Sequence, residues 1–327
     1  METKLSETTL RNGQPVDLLC VRPPTGKWRD RIAPFLLHKG EPWNWHLKHN
    51  LDGHNDDLEQ RFYIAVIGED IISEMMVVEK HGLAILAHVF TQPKWRAQGA
   101  TSALMRVMGD DFAARDGVAM HLRTGFESPA YRIYARFGFE PMTPGSGFMK
   151  WVRHAERFNA FFAPADPSDV RVERTCWTHW PLVHKLMLRD EGDWLRSAGF
   201  RLTGPCNAED EFVFLMAQLH AGAPHASAVL VNKPGAVVGL ATLQPYKPLP
   251  SRMLQFDVHV HPSAIDHLGP LINAVERPPD YPVIAQIDAN SPERHQALLA
   301  AGFHDAGRIQ TALSANGNDL DLLLLQT

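Results

Sequence analysis

Cysteine is scarce in this chain, with three in 327 residues: Cys20, Cys176 and Cys206. They lie far apart and form no Cys-x-x-Cys pair, which argues against a disulfide framework or a thiolate zinc site and indicates a reducing compartment. No stretch reaches the ~18 consecutive apolar residues of a membrane span. The first residues, METKLSETTLRNGQ, lack the apolar core of a signal peptide. We therefore expect a cytoplasmic protein without membrane attachment.

A large excess of one charge is also missing. The chain has 32 Lys plus Arg against 37 Asp plus Glu, a net charge of −5, which argues against a general role on nucleic acids or anionic membranes. Residues 1–163 carry 20 basic and 19 acidic groups, and residues 164–327 carry 12 and 18. A site for a phosphate-bearing cofactor is therefore expected in the first half.

What the sequence does contain is one order of elements used twice. A chain of this length predicts about two domains of ~150 residues. The first half predicts a strand, two helices, three antiparallel strands, a helix, a strand, a helix and a hairpin, at residues 16–23, 27–39, 41–51, 61–92, 93–117, 118–124, 127–139 and 139–152. After a proline-containing linker at 158–168, a similar order follows, beginning with a strand at 170–175 and helices at 178–200 and 207–221.

The ends of the two halves match best. YARFGF at 134–139 corresponds to LLAAGF at 298–303, and Ser-Pro stands near the start of each preceding helix. A tandem duplication explains this most simply. We predict an α+β fold of two domains, residues 1–160 and 168–327, each with a mixed, mostly antiparallel sheet flanked by helices.

The junction FTQPKWRAQGATSAL, residues 90–104, leads from the third strand of the meander into a long helix. The start of a helix leaves backbone N–H groups unpaired, and the helix dipole adds positive potential there. Gly99 and the small Ala100 would let a diphosphate approach this backbone closely, and Lys94 and Arg96 would add charge.

This junction resembles the acetyl-CoA loop of the GCN5-related N-acetyltransferase (GNAT) superfamily, Arg/Gln-x-x-Gly-x-Gly/Ala, usually preceded by Pro-x-x. Pro93, Arg96, Gln98, Gly99 and Ala100 fit the pattern, whereas Thr101 replaces the usual Gly or Ala and would slightly crowd the pyrophosphate. The resemblance implies acetyl-CoA as co-substrate. The residues it implies for binding are Phe90, Thr91, Arg96, Gln98, Gly99, Ala100, Thr101 and Ser102.

A second motif supports the resemblance. Ala130, Tyr134, Gly138 and Phe139 match the pattern Ala-x-x-x-Tyr-x-x-x-Gly-Phe. In the superfamily the tyrosine commonly protonates the leaving CoA thiolate, which implies this role for Tyr134. Tyr134 also lies in the apolar stripe of its helix, where a core aromatic gives the same pattern, and Tyr131 is a competing tyrosine. Glu127 stands where the family often has asparagine.

The implied reaction is direct attack of an amine on a thioester. The resemblance implies that a backbone N–H of the strand at 87–90 meets the thioester oxygen and that Phe90 and Thr91 pair with the pantetheine arm. The general base stays open. His88, the strand carboxylates Glu74 and Glu79, or a chain of water molecules could serve.

Trp43 and Trp45 lie in the segment that usually forms the wall of the acceptor pocket in this fold. They are candidate substrate contacts, and ordinary surface packing is the alternative. The acceptor is expected to be a small-molecule or peptide amine, with no nucleic-acid partner, and the protein a monomer or homodimer. The alternative function is a non-catalytic acyl-CoA-sensing or interaction module.

The second repeat lacks both the cofactor loop and the tyrosine. HPSAI at 261–265 replaces the loop, and Leu298 stands in the place of Tyr134, which predicts a degenerate domain without cofactor binding. Asp257, His259 and His261 alternate along one strand and could in principle bind a metal. A polar sheet face produces the same alternation, so we predict no metal.

Overall fold

The computed structural model describes residues 1–163, 169–222, 224–247, 252–315 and 318–327. The chain forms two compact units, an N-terminal unit of Met1–Phe158 and a C-terminal unit of Asn159–Thr327. The predicted linker at 158–168 lies partly outside the described residues, at 164–168. Within the described ranges, no helix is long and apolar enough to span a membrane.

The N-terminal unit is built on an eight-stranded sheet. Its strands are β1 (Glu2–Thr9), β2 (Pro15–Val21), β3 (Glu59–Ile67), β4 (Asp70–Lys80), β5 (Leu83–Thr91), β6 (Ala119–Arg123), β7 (Glu140–Pro141) and β8 (Phe148–Val152). Its helices are α1 (Arg29–Phe35), α2 (Trp43–Asn50), α3 (Ala100–Ala114), α4 (Pro129–Arg136) and α5 (Ala155–Ala160), the last of which crosses into the second unit.

The strand order is β1-β2-β3-β4-β5-β6-β8-β7, and β5 and β6 form the one parallel pair among these described strands. The β3–β4–β5 meander has an apolar face toward α3, where Tyr63, Met75, Leu86, Leu104 and Phe112 are buried in one cluster. The 3.6-residue spacing of apolar side chains along α3 places Leu104, Met108 and Phe112 on that face.

The C-terminal unit has a seven-stranded sheet. Its strands are β9 (Arg171–Arg174), β12 (Ala226–Val231), β13 (Val237–Pro245), β14 (Leu254–Val260), β15 (Val283–Asp288), β16 (His304–Ala315) and β17 (Asn318–Gln326), with a separate hairpin of β10 (Leu195–Ser197) and β11 (Leu202–Thr203). Its helices are α6 (Trp180–Met187), α7 (Glu209–Ala221), α8 (Leu268–Asn273) and α9 (Pro292–Ala300).

The order β9-β12-β13-β14-β15-β17-β16 repeats the order β2-β3-β4-β5-β6-β8-β7 of the first unit, and among the described strands β14 and β15 again form the one parallel pair. The predicted fold class is confirmed: both sheets are mixed, mostly antiparallel and flanked by helices.

Several elements differ from the sequence-based prediction, among them α5, which was not predicted and overlaps the predicted linker. The helix predicted at 178–200 ends at Met187, and the chain then passes through Gly192, with φ +94°, into the β10–β11 hairpin. The first strand, β1, was not predicted. Most of its residues are exposed, so it lacks the alternation of apolar and polar residues that signals a half-buried strand.

Gly117 lies at the end of the turn that follows α3. Substituting it tests the packing against α3. A Cβ atom at Gly117 would lie 2.3 Å from the ring of the fully buried Phe112. We expect Gly117→Ala to destabilise the protein by about 1–3 kcal/mol, because the ring cannot move without disturbing a packed core. Thermal unfolding measures this.

Gly109→Ala, within α3, is the matched control. Its Cβ would meet only Trp151, at 3.6 Å. Alanine is the better helix former, so we expect a gain of roughly 0.5–1 kcal/mol. Equal melting temperatures for the two variants would show that this packing description is wrong.

Candidate active site

A cavity of about 990 Å³ lies beside the end of β5. It is present because β5 pairs with β6 only over residues Leu83–Ile85, which face Ala119–His121, although β5 continues to Thr91. The loop after β5, the first turn of α3 and the residues of α4 form the remaining walls. The residues implied for cofactor binding that line it are Phe90, Thr91, Arg96, Gly99, Ala100, Thr101 and Ser102.

β5 carries a bulge at its cavity end. Met76 faces Ala87 and Glu74 faces Phe90, so three steps along β5 match two along β4. His88 adopts φ +55°, an uncommon conformation for a residue with a side chain. A bulge removes a backbone group from the ladder. This is the segment for which the resemblance implies a backbone contact to the thioester oxygen.

The first turn of α3 opens into the same cavity. Gly99 is the N-cap residue, with φ +98°, and no side chain caps the helix. The first turn contains no acidic residue, and a Cβ added at Gly99 would meet no atom within 4 Å. The amides of Ala100, Thr101 and Ser102 are at the position where a helix has no internal partner for its N–H groups. This arrangement is suited to an anion.

The loop before α3 is held by backbone contacts. The Arg11 amide donates to the Gln98 carbonyl at 3.1 Å, and the Arg11 guanidinium donates to the Ala97 carbonyl at 3.3 Å. Arg96 Nε donates to the Thr91 carbonyl at 3.2 Å. Gln98 therefore contributes through its backbone to the shape of the loop.

Thr101, the departure from the family pattern, uses its hydroxyl within the protein. Its Oγ1 lies 2.7 Å from Thr91 Oγ1, which lies 2.7 Å from Ser73 Oγ. These hydroxyls connect α3 to β5 and β4. The Thr101 hydroxyl is thus directed toward Thr91, and the crowding of a pyrophosphate by Thr101 stays a prediction.

The cavity wall is basic. The described residues that line it include no carboxylate and four arginines: Arg11, Arg96, Arg132 and Arg136. Only Arg96 was identified from the sequence. Arg132 and Arg136 lie four residues apart on α4 and so share a face, a signal that the sequence contained. Arg11 belongs to the turn between β1 and β2, whose position depends on a strand that the sequence did not reveal.

Both tyrosines of α4 line the cavity. Tyr134 is 5% exposed and packs into the core beside Phe139, with 6.1 Å between ring centroids. Tyr131 is less buried, and its ring lies 5.4 Å from that of Phe126. Ser128 caps the helix by accepting from the Tyr131 amide at 3.1 Å, which fixes the orientation of α4.

Aromatic and histidine rings pack against His88, the residue of the bulge that has a positive φ. Trp43 lies edge-on to His88, with 4.6 Å between ring centroids, and His46 stacks parallel to His88 at 6.0 Å. Trp45 instead stacks on His49, at 5.2 Å. Of the two predicted substrate contacts, Trp43 is therefore the one placed beside the bulge.

Burial keeps these imidazoles neutral. Desolvation, and then the nearby His46, Lys39 and His38, hold the pKa of His88 well below its usual value. Desolvation likewise lowers the pKa of His46 to about 3. His88 is therefore neutral at pH 7 but a weak proton acceptor.

The two candidate carboxylates of β4 differ sharply. Glu79 forms an ion pair with Arg115, and Arg61 Nη1 lies 3.8 Å from its Oε2. Glu74 is completely buried, and neither carboxylate oxygen has a hydrogen-bond partner among the described residues. Desolvation raises the pKa of Glu74 well above its usual value, with Lys39 opposing the shift.

This environment predicts a pH-dependent stability. A carboxyl whose pKa is higher in the folded than in the unfolded state contributes stability at low pH that is lost as the pH rises through the folded-state pKa. Glu74→Gln cannot ionise, so we expect its melting temperature to exceed that of the wild type by more at pH 8 than at pH 5. A constant difference between the two would contradict the buried, unpaired carboxylate.

The corresponding strand of the C-terminal unit has no bulge. β14 pairs with β13 without a register shift. The pairing runs from Gly239 opposite Val260 to Pro245 opposite Leu254. The parallel pairing of β14 with β15 ends at Phe256–Ala285, and β10 packs against both strands beyond that point. Arg294 donates to the carbonyls of Leu195 and Val258, at 2.7 and 3.2 Å, and thus bridges β10 to β14.

Asp257 and His261 have hydrogen-bond partners, whereas His259 is buried and neither of its ring nitrogens has a partner among the described residues. The Asp257 carboxylate accepts from the amides of Ala198 and Gly199 at 3.0 Å and from the Ser197 hydroxyl at 2.7 Å. His261 Nδ1 lies 2.7 Å from Ser263 Oγ. The described part of the chain contains no group of three His, Cys, Asp or Glu side chains arranged to hold a metal. Leu298, in the place of Tyr134, is a buried core residue.

Comparison with known proteins adds a family. Residues 59–141 match the family model described as "Acetyltransferase (GNAT) domain". No curated protein matches the chain by sequence.

Solved structures were also compared with the chain. An N-acetyltransferase from Staphylococcus aureus Mu50 is 15% identical, covering 48% of this chain and 97% of its own, with a TM-score of 0.38. A ribosomal-protein-alanine N-acetyltransferase from Brucella melitensis is 18% identical, covering 48% and 98%, with a TM-score of 0.35. A spermidine N-acetyltransferase from Vibrio cholerae, in complex with CoA and spermine, is 14% identical, covering 49% and 95%, with a TM-score of 0.34. These likenesses alone support no conclusion about this chain.

Proposed function

Because residues 59–141 form an acetyltransferase (GNAT) domain, we propose that the N-terminal unit, predicted as residues 1–160, transfers an acetyl or related acyl group from acyl-CoA to a primary amine. The observation that carries the proposal is the uncapped N-terminus of α3 at Gly99, which opens into an arginine-lined cavity. The volume of that cavity, about 990 Å³, is at the upper end of the range for ligand pockets.

The diphosphate would bind the amides of Ala100, Thr101 and Ser102, with Arg96 adding charge. Four lining arginines and no lining carboxylate favour a polyanionic ligand over a neutral one. Phe90 and Thr91 would pair with the pantetheine arm, since no strand of the described residues pairs with β5 beyond Ile85 on the side of β6.

The amine nitrogen attacks the thioester carbon, a C–N bond forms and the C–S bond breaks. A backbone amide freed by the bulge at His88 would stabilise the oxyanion that develops. Tyr134 would give its proton to the departing thiolate. His88 would shape the acceptor side together with Trp43, its ring neighbour. Trp45, which stacks on His49, would contact the acceptor farther from the bulge than Trp43 does.

The C-terminal unit, predicted as residues 168–327, is proposed as a degenerate GNAT-like repeat that binds no acyl-CoA. It repeats the strand order of the first unit. Its central strand is continuous, and its own β10 packs where the parallel strands separate.

The proposal is tested on the full chain. Calorimetry with acetyl-CoA should give one site per chain, and free thiol release with a panel of small amines and peptide N-termini should identify acceptors. Binding without thiol release for every amine would favour the acyl-CoA-sensing alternative. Absence of binding would contradict both.

A further inference from the structure

A thiol, an imidazole and a carboxylate lie in one row in the C-terminal unit, apart from the chemistry proposed above. The row is placed where β9 ends and a short turn, Trp177–His179, leads into α6. Cys176 Sγ lies 3.4 Å from His179 Nδ1. On the other side of the ring, His179 Nε2 lies 3.2 Å from Glu173 Oε2. These are the parts of a cysteine that is activated by a base, with a third group that orients the base.

The contacts of His179 define which ring nitrogen carries the proton. The Cys176 amide donates to Nδ1 at 3.2 Å, so this nitrogen is an acceptor. Nε2 then carries the proton and donates it to the Glu173 carboxylate. The nitrogen beside the thiol is therefore the one with a lone pair, and it can take the thiol proton.

Glu173 is held as an anion. Burial alone would raise its pKa, but hydrogen bonding and charge from Arg171, and then from His179, lower that pKa overall. Arg171 pairs with Oε1 of the carboxylate, which leaves Oε2 to His179. A fixed anion at Nε2 stabilises the imidazolium that forms when Nδ1 is protonated. The backbone N–H of His179 donates to Cys176 Sγ, which favours the thiolate.

The three cysteines of the chain differ in their surroundings. Burial raises the pKa of both Cys20 and Cys206 to about 11, so these two are protonated thiols at pH 7. Cys176 is only half-buried. The segment that carries it is anchored, because Thr175 Oγ1 lies 2.7 Å from Ser227 Oγ on β12. Cys176 thus combines access from solvent with an adjacent, oriented base.

We propose that Cys176 is a thiol-modification site, at which its thiolate attacks a low-molecular-weight disulfide and forms a mixed disulfide. The S–H bond of Cys176 breaks as His179 Nδ1 takes the proton. An S–S bond forms to one sulfur of the reagent, the reagent's own S–S bond breaks, and the proton passes from Nδ1 to the departing thiolate. The disulfide is the oxidant, and one free thiol is released.

The amides of the turn favour a disulfide over an acyl-CoA thioester. Attack on a thioester develops an oxyanion that needs hydrogen-bond donors, whereas attack on a disulfide sulfur does not. The amides of Cys176 and His179 already donate to Nδ1 and to Sγ. The inference is independent of the acyl transfer proposed for the N-terminal unit.

The test treats the full chain at pH 7 with oxidised glutathione and locates the adduct by peptide mass spectrometry. We expect Cys176 to react at least tenfold faster than Cys20 and Cys206, and dithiothreitol to reverse the reaction. Equal rates at the three cysteines would overturn the proposal. Rapid alkylation of Cys176 by iodoacetamide without any glutathione adduct would also overturn it, because the thiol would then be activated for another reagent.

Variants separate an activated thiol from a structural helix cap. His179→Asn keeps a side-chain acceptor for the Cys176 amide but removes the base, so the rate at Cys176 should fall at least tenfold. Glu173→Gln should lower it a fewfold. Glu191→Gln is the matched control, since it removes the carboxylate of another Arg-x-Glu pair, that with Arg189, and should leave the rate unchanged. With folding checked by thermal unfolding, a wild-type rate in either His179→Asn or Glu173→Gln would overturn the assignment.

Discussion

Ser102→Asp should weaken acetyl-CoA binding at least tenfold while leaving the fold as stable as before, or slightly more so. Ser102 is the third residue of α3 and lines the cavity. A carboxylate in the first turn stabilises a helix by about 0.3–1 kcal/mol through the dipole. The same carboxylate would oppose a bound diphosphate, since two like charges 4 Å apart near a protein surface repel by about 4 kcal/mol.

The opposite signs of the two effects make this variant informative. Calorimetric titration measures the affinity, and thermal unfolding measures the stability. Ser102→Asn has nearly the same shape without the charge, so it should bind within a fewfold of the wild type. Equal affinities for Ser102→Asp and Ser102→Asn would show that the diphosphate does not bind at this turn.

Tyr134→Phe should reduce kcat about 10²-fold with little change in the KM for acyl-CoA. The expectation follows from the loss of a proton donor to the thiolate, which acts in the transition state and not in ground-state binding. Tyr134 is nearly buried in the cavity wall, so its hydroxyl can act away from bulk solvent. Steady-state kinetics of thiol release with saturating amine measures the effect.

Tyr131→Phe is the matched control on the same helix. It removes an identical hydroxyl from a residue that also lines the cavity, and we expect it to keep most of its activity. A large loss in Tyr131→Phe together with near-normal turnover in Tyr134→Phe would reverse the two roles. Similar small losses in both would assign the proton to solvent.

Local patterns predicted most of the fold. Alternating and β-branched residues identify β3, β4 and β5, and helical spacing with Gly117 and Gly138 as stops identifies α3 and α4. β10 was wrongly predicted as part of a helix, because the turn that precedes it uses the positive φ of Gly192. A Cβ at Gly192 would lie 3.0 Å from His259, so tertiary packing determines that turn.

The candidate site was predictable only where it is local. The small-residue start of α3 is visible at Gly99 and Ala100, whereas the bulge at His88 is set by its register against β4 and leaves no mark in the sequence. The same holds for Glu74, which the sequence offered as one of several bases. Its isolation depends on the segment from α1 to α2 that covers this face of the sheet.

The most direct test of the central claim is a crystal structure of the full chain with CoA. We predict diphosphate oxygens within hydrogen-bond distance of the amides of Ala100, Thr101 and Ser102, with the thiol beside Tyr134 and the C-terminal unit empty. A diphosphate bound to the C-terminal unit, or bound away from α3, would contradict the account.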